Sequence, residues 1–179
     1  HAGELVPGLE SLDAVRSGAA QMAYGAPYYW TNVSNATQFV ACLPFGLTAQ
    51  EQNAWCYYGG GIEAADKAYN EIGVKFLPMG NTGNQMGGWF NKEINSTADF
   101  DGLKFRMPGL GGEVLKTFGA NIVLLAGPDV LPALASGAID GTEWIGPAAD
   151  LGAGLYQAAK YYYNPSWHEP ATILDCSID

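Results

Sequence analysis

Arg106 combines a permanent charge with apolar neighbours. It is one of two arginines in the chain, the other being Arg16, and it lies between Phe105 and Met107 in a short run typical of a strand. A guanidinium partly removed from water needs an anion, and its planar fork matches a carboxylate through two parallel hydrogen bonds. That anion could be a bound ligand or an acidic side chain. The residue types leave ligand recognition and a structural ion pair as two open interpretations.

Glu143 and Trp144 end a strand-like run over 138–144 and come shortly before Gly146 and Pro147. Strands of α/β proteins deliver ligand-binding groups at their carboxyl ends. This position could therefore supply a carboxylate, an indole ring and a backbone carbonyl to one site. A solvated Glu143 beside a core Trp144 is the alternative interpretation.

Three further places carry candidate side chains. Gln85 lies in a polar, glycine-rich loop before a strand, and an aromatic group at 28–30 follows the first strand-like run. His168 and Glu169 are followed by Pro170, so the H-E-x-x-H motif of zinc proteases is not formed. Glu169 remains a candidate oxygen ligand.

The elements that must position these residues alternate between helices and strands. An amphipathic helix over 9–16, closed by Gly18, precedes a short strand over 19–24, and the same order returns where Gly137 separates a helix from the run 138–144. A helical pattern over 51–70 contains three consecutive glycines, 59–61, which predict either a break in the helix or very close packing against another backbone. The alternation predicts an α/β architecture with mainly parallel sheets. Further strands are expected over 74–79, 87–90, 104–107 and 122–125.

Composition excludes several function classes. The 179 residues carry 8 Lys and Arg against 18 Asp and Glu, a formal charge of −10, so no basic surface for nucleic acid is expected. Neither G-x-G-x-x-G nor a Walker motif occurs, which argues against a nucleotide or other organic cofactor. The three cysteines form no C-x-x-C, and buried free thiols fit them better than a bridge between Cys42 and Cys56.

Eight segments in one order along the chain resemble the extracytoplasmic solute receptors of TRAP transporters, the DctP family. They are Leu12-Asp-Ala-Val, Tyr28-Tyr-Trp, Pro44-Phe-Gly-Leu, Trp55-Cys-Tyr-Tyr-Gly-Gly-Gly, Gly80-Asn-Thr-Gly-Asn-Gln-Met-Gly-Gly-Trp-Phe, Gly102-Leu-Lys-Phe-Arg-Met-Pro-Gly, Gly137-Ala-Ile-Asp-Gly-Thr-Glu-Trp and Tyr161-Tyr-Tyr-Asn-Pro-Ser-Trp. Within that family the chain is similar to the branch that binds 2-oxo or 2-hydroxy monocarboxylates, such as pyruvate or lactate, together with a metal ion.

The resemblance implies a two-lobed, type II-like periplasmic-binding-protein fold with mixed sheets and flanking helices, incomplete at both termini. Lobe I would comprise residues 1–53 and 142–179, and lobe II residues 54–141. The lobes would close on a ligand as a hinged clamp. The implied location is the periplasm, with the signal peptide absent from this segment. Apolar faces left by missing elements would favour association, so a homodimer is a candidate assembly.

The resemblance also implies the residues that hold the substrate. Arg106 would bind the substrate carboxylate, Gln85 would contact both substrate and metal, and Trp144 would pack against the ligand. The pocket wall would come from an aromatic group whose individual contacts stay open: Tyr28, Tyr29 and Trp30.

The implied metal ligands are the Glu143 carboxylate, the Trp144 carbonyl, Gln85, and Glu169 or, less favoured, His168. A hard cation with oxygen ligands can bridge the carboxylate and keto oxygens of a 2-oxo acid. Two carboxylates would favour Ca²⁺ over Na⁺, because added negative charge stabilises the divalent ion more, whereas one would leave Na⁺ adequate.

Other functions stay open. The TRAP membrane subunits are the implied partners, but a receptor of the same fold for dicarboxylates or sugar acids, or a non-transport sensor, fits the same segments. An enzyme is disfavoured because no nucleophile motif such as G-x-S-x-G occurs.

Overall fold

The computed structural model describes residues 3–179. Its helices are α1 (Ser11–Arg16), α2 (Gln38–Ala41), α3 (Ala49–Tyr58), α4 (Gly61–Asn70), α5 (Gly109–Lys116), α6 (Gly127–Ser136) and α7 (Pro147–Ala153). Its strands are β1 (Met22–Gly25), β2 (Lys75–Asn81), β3 (Gly88–Phe90), β4 (Lys104–Arg106), β5 (Asn121–Val123), β6 (Gly141–Thr142), β7 (Tyr161–Tyr163) and β8 (Ile173–Ile178). Short 3-10 turns cover Gly8–Glu10, Pro27–Trp30, Thr97–Phe100 and Leu155–Gln157.

The chain divides into two compact units at boundaries that differ from the expected ones. The first unit contains the residues up to Gly83 and Glu169–Asp179, and the second contains Asn84–His168. Residues 54–83 belong to the first unit rather than to a lobe over 54–141, because β2 pairs with β8. Residues 142–168 belong to the second unit, because β6 and β7 both pair with β3.

The sheet of the first unit has the strand order β1-β8-β2 and is antiparallel throughout. The prediction of mainly parallel sheets is therefore wrong for this unit. Strands β1 and β2 run in the same direction, but β8, from the far end of the chain, is inserted between them and opposes both. Side chains from α1, α4 and the sheet form the core: Leu12, Val15, Ala65, Tyr69, Phe76 and Ile173.

The predicted helix break at 59–61 is confirmed. Helix α3 ends at Tyr58, and Gly60 has a φ of +85°, a conformation that side chains disfavour. A Cβ on Gly61 would lie 2.7 Å from the Cys56 Cα atom, so only glycine permits this approach of the two helices. Within the described residues all three cysteines are buried and none forms a disulfide, as predicted.

The second unit carries a mixed sheet with the order β5-β4-β6-β3-β7. Strand β4 is parallel to both β5 and β6, whereas β3 is antiparallel to β6 and β7. The rings of Phe90 and Phe105 stack in its core with centroids 4.9 Å apart. Strand β6 is shorter than the run predicted over 138–144, because the Ile139 N–H still donates to Ala133 O of α6 at 3.3 Å.

Among the helices of residues 3–179, none combines the length and the apolar character needed to cross a bilayer.

Candidate functional site

The register of the second sheet brings Arg106 and Glu143 together. Arg106 is the last residue of β4 and pairs with Thr142 of the parallel strand β6, and Glu143 follows at the carboxyl end. The Glu143 N–H donates to Arg106 O at 3.2 Å, and Arg106 Nη1 contacts Glu143 Oε1 as an ion pair. Both side chains are only 1% exposed. The pair is therefore shielded from water at the carboxyl ends of the strands, where α/β proteins bind ligands.

Two more groups hold the Arg106 guanidinium. Its Nε–H donates to Leu125 O, beyond the end of β5, at 3.3 Å. Its Cζ lies 5.4 Å from the centroid of the Trp144 ring, within the range of a cation–π interaction. The ends of three neighbouring strands, β5, β4 and β6, thus converge on one cationic side chain. Trp144 packs in turn against α6, since a Cβ on Gly127 would lie 2.8 Å from its ring.

His168 adds a second polar side chain beside Glu143. It is fully buried, and its Nε2 lies 3.9 Å from Glu143 Oε2, which is too long for a hydrogen bond. Neither ring nitrogen has a hydrogen-bond partner among residues 3–179. Buried polar atoms are nearly always paired, so two unpaired nitrogens beside a carboxylate are typical of a site that holds a further group.

The loop that contains Gln85 is hydrogen-bonded to the loop that contains Glu143 and Trp144. Gln85 is buried just before β3, and the next residue, Met86, donates its N–H to Ile145 O at 2.8 Å. Three of the predicted residues, Gln85, Arg106 and Glu143, are therefore buried side chains of one unit, with Trp144 partly exposed beside them.

The first unit contains Glu169, which is 2% exposed. The Tyr28 hydroxyl donates to Glu169 Oε2 at 3.5 Å, and the Thr172 hydroxyl makes a short contact with the same oxygen. Glu169 follows His168 directly in the chain. Within its unit, this carboxylate is held at one oxygen by two hydroxyl groups.

The three aromatic residues of the Pro27–Trp30 turn occupy different environments. Trp30 lies in the core of the first unit, where its Nε1–H donates to Asp175 Oδ2 at 3.3 Å. Tyr28 is buried, and Tyr29 is partly exposed with its ring 4.9 Å from that of Tyr28. These contacts favour a structural role for Trp30, and they leave Tyr29 as the most accessible ring of the three.

Two buried carboxylates were not singled out from the sequence. Asp150 on α7 is 1% exposed and accepts three hydrogen bonds, from Ile145 N, Trp89 Nε1 and Tyr162 OH. Burial, and then the hydrogen bond to Asp150, raise the pKa of Tyr162 above its ordinary value. An Asp in the first turn of a helix that follows Gly-Pro is the one sequence signal that could have drawn attention to it.

The second overlooked carboxylate is Asp175 of β8, which lies fully buried in the first unit. Its Oδ2 accepts hydrogen bonds from Tyr69, at 2.9 Å, and Ser177, at 3.0 Å, as well as from Trp30. Burial raises the pKa of Asp175 despite these donors. Alternation of apolar and polar residues along a strand gives no signal for such a residue, because the polar position is usually the solvated one.

The donor set of the second unit fits a hard cation with a bound carboxylate. A Glu143 carboxylate, a Gln85 side-chain amide and backbone carbonyls are the oxygen ligands that Na⁺ and Ca²⁺ take, and Arg106 is suited to an organic carboxylate. The unpaired nitrogens of His168 are consistent with a polar group bound close by. No thiol lies among these residues, so the set does not favour a soft metal.

Comparison with known proteins gives matches over nearly the whole chain. The family model described as bacterial extracellular solute-binding protein, family 7, matches residues 1–175. A monocarboxylate 2-oxoacid-binding periplasmic protein of Nostoc sp. is 49% identical over 178 residues, which are 99% of this chain and 49% of that protein. The chain spans about half the length of the curated relative it matches.

Two solved structures are similar to this fold. A TRAP periplasmic solute-binding protein from Pseudoalteromonas atlantica, with bound sodium and pyruvate, is 46% identical at a TM-score of 0.92, covering 95% of this chain and 51% of that one. Another from Colwellia psychrerythraea, with bound calcium and pyruvate, is 48% identical at a TM-score of 0.90, covering 95% and 52%. These similarities confirm the predicted α/β fold class and the resemblance drawn from the eight segments.

Proposed function

The chain belongs to family 7 of the bacterial extracellular solute-binding proteins, and on that basis we propose that it captures a small 2-oxo or 2-hydroxy monocarboxylate together with a metal ion. The observation that carries this proposal is the buried Arg106–Glu143 pair at the carboxyl edge of the second sheet, beside the Trp144 ring. In this proposal Arg106 receives the substrate carboxylate, and Glu143, its ion-pair partner, binds the cation. The relatives that bind pyruvate with sodium or with calcium support the same ligand class.

Each residue of the site has a separate task in this proposal. Arg106 binds the substrate carboxylate through its fork of N–H donors. Glu143, Gln85 and the Trp144 carbonyl would hold the cation, and Glu169 stays a predicted further carboxylate ligand. When bound, the cation would supply positive charge that attracts the oxygen atoms of the substrate.

Charge balance couples the two ligands. The Arg106–Glu143 pair is neutral as a whole and buried, so an anion alone would meet repulsion from Glu143 and a cation alone repulsion from Arg106. A carboxylate and a cation that enter together separate the pair and give each charged side chain a new counter-ion. We therefore expect each ligand to strengthen the binding of the other by the same factor.

The remaining parts of the proposal concern the surroundings of the site. Tyr29 is proposed to line the pocket for the organic part of the substrate, and the Tyr28 ring makes an edge contact with it. The protein would act in the periplasm, deliver its ligand to TRAP membrane subunits, and bind without chemical turnover. A homodimer stays a prediction, and sedimentation equilibrium tests it by measuring the molar mass in solution.

Isothermal titration tests the function. Pyruvate, 2-oxobutyrate and lactate are titrated into the purified protein with Na⁺, with Ca²⁺ and after chelation. We expect binding only when a cation is present. Arg106→Lys keeps the charge but loses the fork, and it should weaken pyruvate binding by about 10- to 100-fold, the loss of roughly one hydrogen bond to a charged group.

The matched control is Arg16→Lys, the same change in an exposed ion pair on α1, which should leave the affinity unaltered. Absence of heat with all three acids under every ion condition, from protein that melts cooperatively, would refute the proposed ligand class. Binding of a dicarboxylate or a sugar acid in its place would assign the protein to the other ligand class considered above.

A further inference from the structure

One peptide group of the site is held by a buried carboxylate. The Ile145 N–H donates to Asp150 Oδ1 at 3.0 Å. The same peptide group carries the Trp144 carbonyl. Because the group is planar and trans, the carbonyl points opposite to the N–H. The hydrogen bond to Asp150 therefore fixes the direction of the Trp144 oxygen.

Asp150 is itself held rigidly. Its Oδ2 accepts the Tyr162 hydroxyl at 2.7 Å and Trp89 Nε1–H at 2.9 Å. Trp89 of β3 and Tyr162 of β7 are directly opposite in the ladder, and their rings stack with centroids 4.0 Å apart and planes at 15°. The cross-strand aromatic pair thus donates two hydrogen bonds to Oδ2, while Oδ1 accepts the peptide N–H of Ile145.

The backbone on both sides of this peptide group is also bonded. The Thr142 hydroxyl donates to Glu143 O at 2.7 Å, and the Ile145 carbonyl accepts the Met86 N–H at 2.8 Å. The Asp150 N–H donates to Gly146 O at 2.9 Å and closes the turn into α7. The segment between β6 and α7 therefore has little freedom to turn the Trp144 carbonyl away.

An anionic acceptor also changes the electron density of the peptide group. A carboxylate that accepts the N–H strengthens the C–N double-bond character and places more negative charge on the carbonyl oxygen, since hydrogen bonds in a chain polarise one another. Carboxylates beyond the metal ligands raise the basicity of ligating imidazoles in the same way.

We propose that Asp150 is a positioning residue for the bound cation, which aims and polarises the Trp144 carbonyl through the hydrogen bond to Ile145 N–H. The inference rests on the proposed function, because it requires the Trp144 carbonyl to ligate a cation. A merely structural Asp150 would affect the stability of the second unit and leave the affinity for the cation unchanged.

Two variants separate these roles. Asp150→Asn removes the charge and leaves at least one of the three N–H or O–H donors facing an amide N–H. Tyr162→Phe removes one donor from Oδ2 and leaves the bond between Asp150 and Ile145 intact, so it is the matched control for stability. Calcium is titrated calorimetrically at saturating pyruvate, and unfolding is followed in urea.

Asp150→Asn should weaken Ca²⁺ binding by about 10- to 100-fold, the range found for partners of metal ligands. Tyr162→Phe should lower the urea midpoint and change the Ca²⁺ affinity by less than about 3-fold, because the Ile145 bond remains. Unchanged Ca²⁺ affinity in Asp150→Asn, or equal losses in both variants, would overturn the inference while leaving the proposed function in place. A wild-type protein that binds no Ca²⁺ and no Na⁺ with pyruvate would instead overturn the proposed function and the inference with it.

A second measurement needs no variant. Ligation of the Trp144 carbonyl withdraws electrons from the peptide group, so the ¹⁵N resonance of Ile145 should move downfield when Ca²⁺ and pyruvate are added to the wild-type protein. An Ile145 resonance that stays in place while calorimetry reports Ca²⁺ binding would refute the assigned role of Asp150, whether or not the Asn variant folds.

Discussion

The buried Arg106–Glu143 pair predicts that either single variant lowers the free energy of unfolding, whereas the double variant does not. Each side chain is only 1% exposed, and the two charges are partners in one ion pair. Removing either partner leaves the other charge buried without it, which typically costs about 3–5 kcal/mol. Replacing both removes the desolvation penalty along with the attraction and is often neutral or stabilising. The double variant Arg106→Met/Glu143→Gln should therefore be more stable than either single variant.

Urea unfolding in the absence of ligand measures the effect. With an m-value of about 2 kcal/mol/M, a loss of about 4 kcal/mol lowers the midpoint by about 2 M for each single variant. The matched control is Glu113→Gln, the same chemical change in an ion pair with Lys116 whose side chains are 61% and 49% exposed. An exposed pair of this kind contributes about 0–1 kcal/mol, so that midpoint should move by at most about 0.5 M.

A midpoint shift in Glu143→Gln no larger than that in Glu113→Gln would contradict this prediction, because burial of the pair would then have no energetic consequence. Losses of Arg106→Met and Glu143→Gln that add up in the double variant would also contradict it, since additive losses indicate independent side chains.

Two further predictions concern the framework. Because burial raises the pKa of Asp175, the folded protein keeps the Asp175 carboxyl protonated to a higher pH than the unfolded chain does. The free energy of unfolding should therefore fall as the pH rises from about 4 through the raised pKa, and it should stay lower above it. In urea titrations at several pH values, Asp175→Asn should reduce this dependence of stability on pH. Gly141→Ala would place a Cβ 2.6 Å from Trp89 O and 2.8 Å from the Phe105 ring, so thermal unfolding should show a loss of about 1–3 kcal/mol. Gly152→Ala in α7, where a Cβ meets nothing within 4 Å, should instead be neutral or stabilising by up to about 1 kcal/mol, and equal effects at both positions would contradict the packing argument.

Local patterns predicted the elements that carry the site. The apolar run around Arg106 indicated β4, and the glycines at 59–61 indicated the break between α3 and α4. Both signals are short-range, because strand propensity and the backbone freedom of glycine act within a few residues. The placement of Glu143 and Trp144 after a strand followed from the same kind of signal, although the strand proved shorter than expected.

Sheet order and unit boundaries did not follow from the sequence. The insertion of β8 between β1 and β2 pairs it with residues about 150 positions away in β1 and about 100 positions away in β2, and its reversal of direction makes the first sheet antiparallel. Pairing over such distances is decided by which strands bury the most apolar surface together, and no window of local sequence contains that information.

The sequence by itself determined which chemical groups the site can offer: one strand arginine, a glutamate and a tryptophan at a strand end, and an amide in a glycine-rich loop. Tertiary structure alone decided that Arg106 and Glu143 are partners, that His168 is buried with both ring nitrogens unpaired, and that Asp150 bonds the peptide group after Trp144. The physical reason is that residue type fixes charge and hydrogen-bonding capacity, whereas desolvation and partner geometry arise only where distant segments of the chain meet.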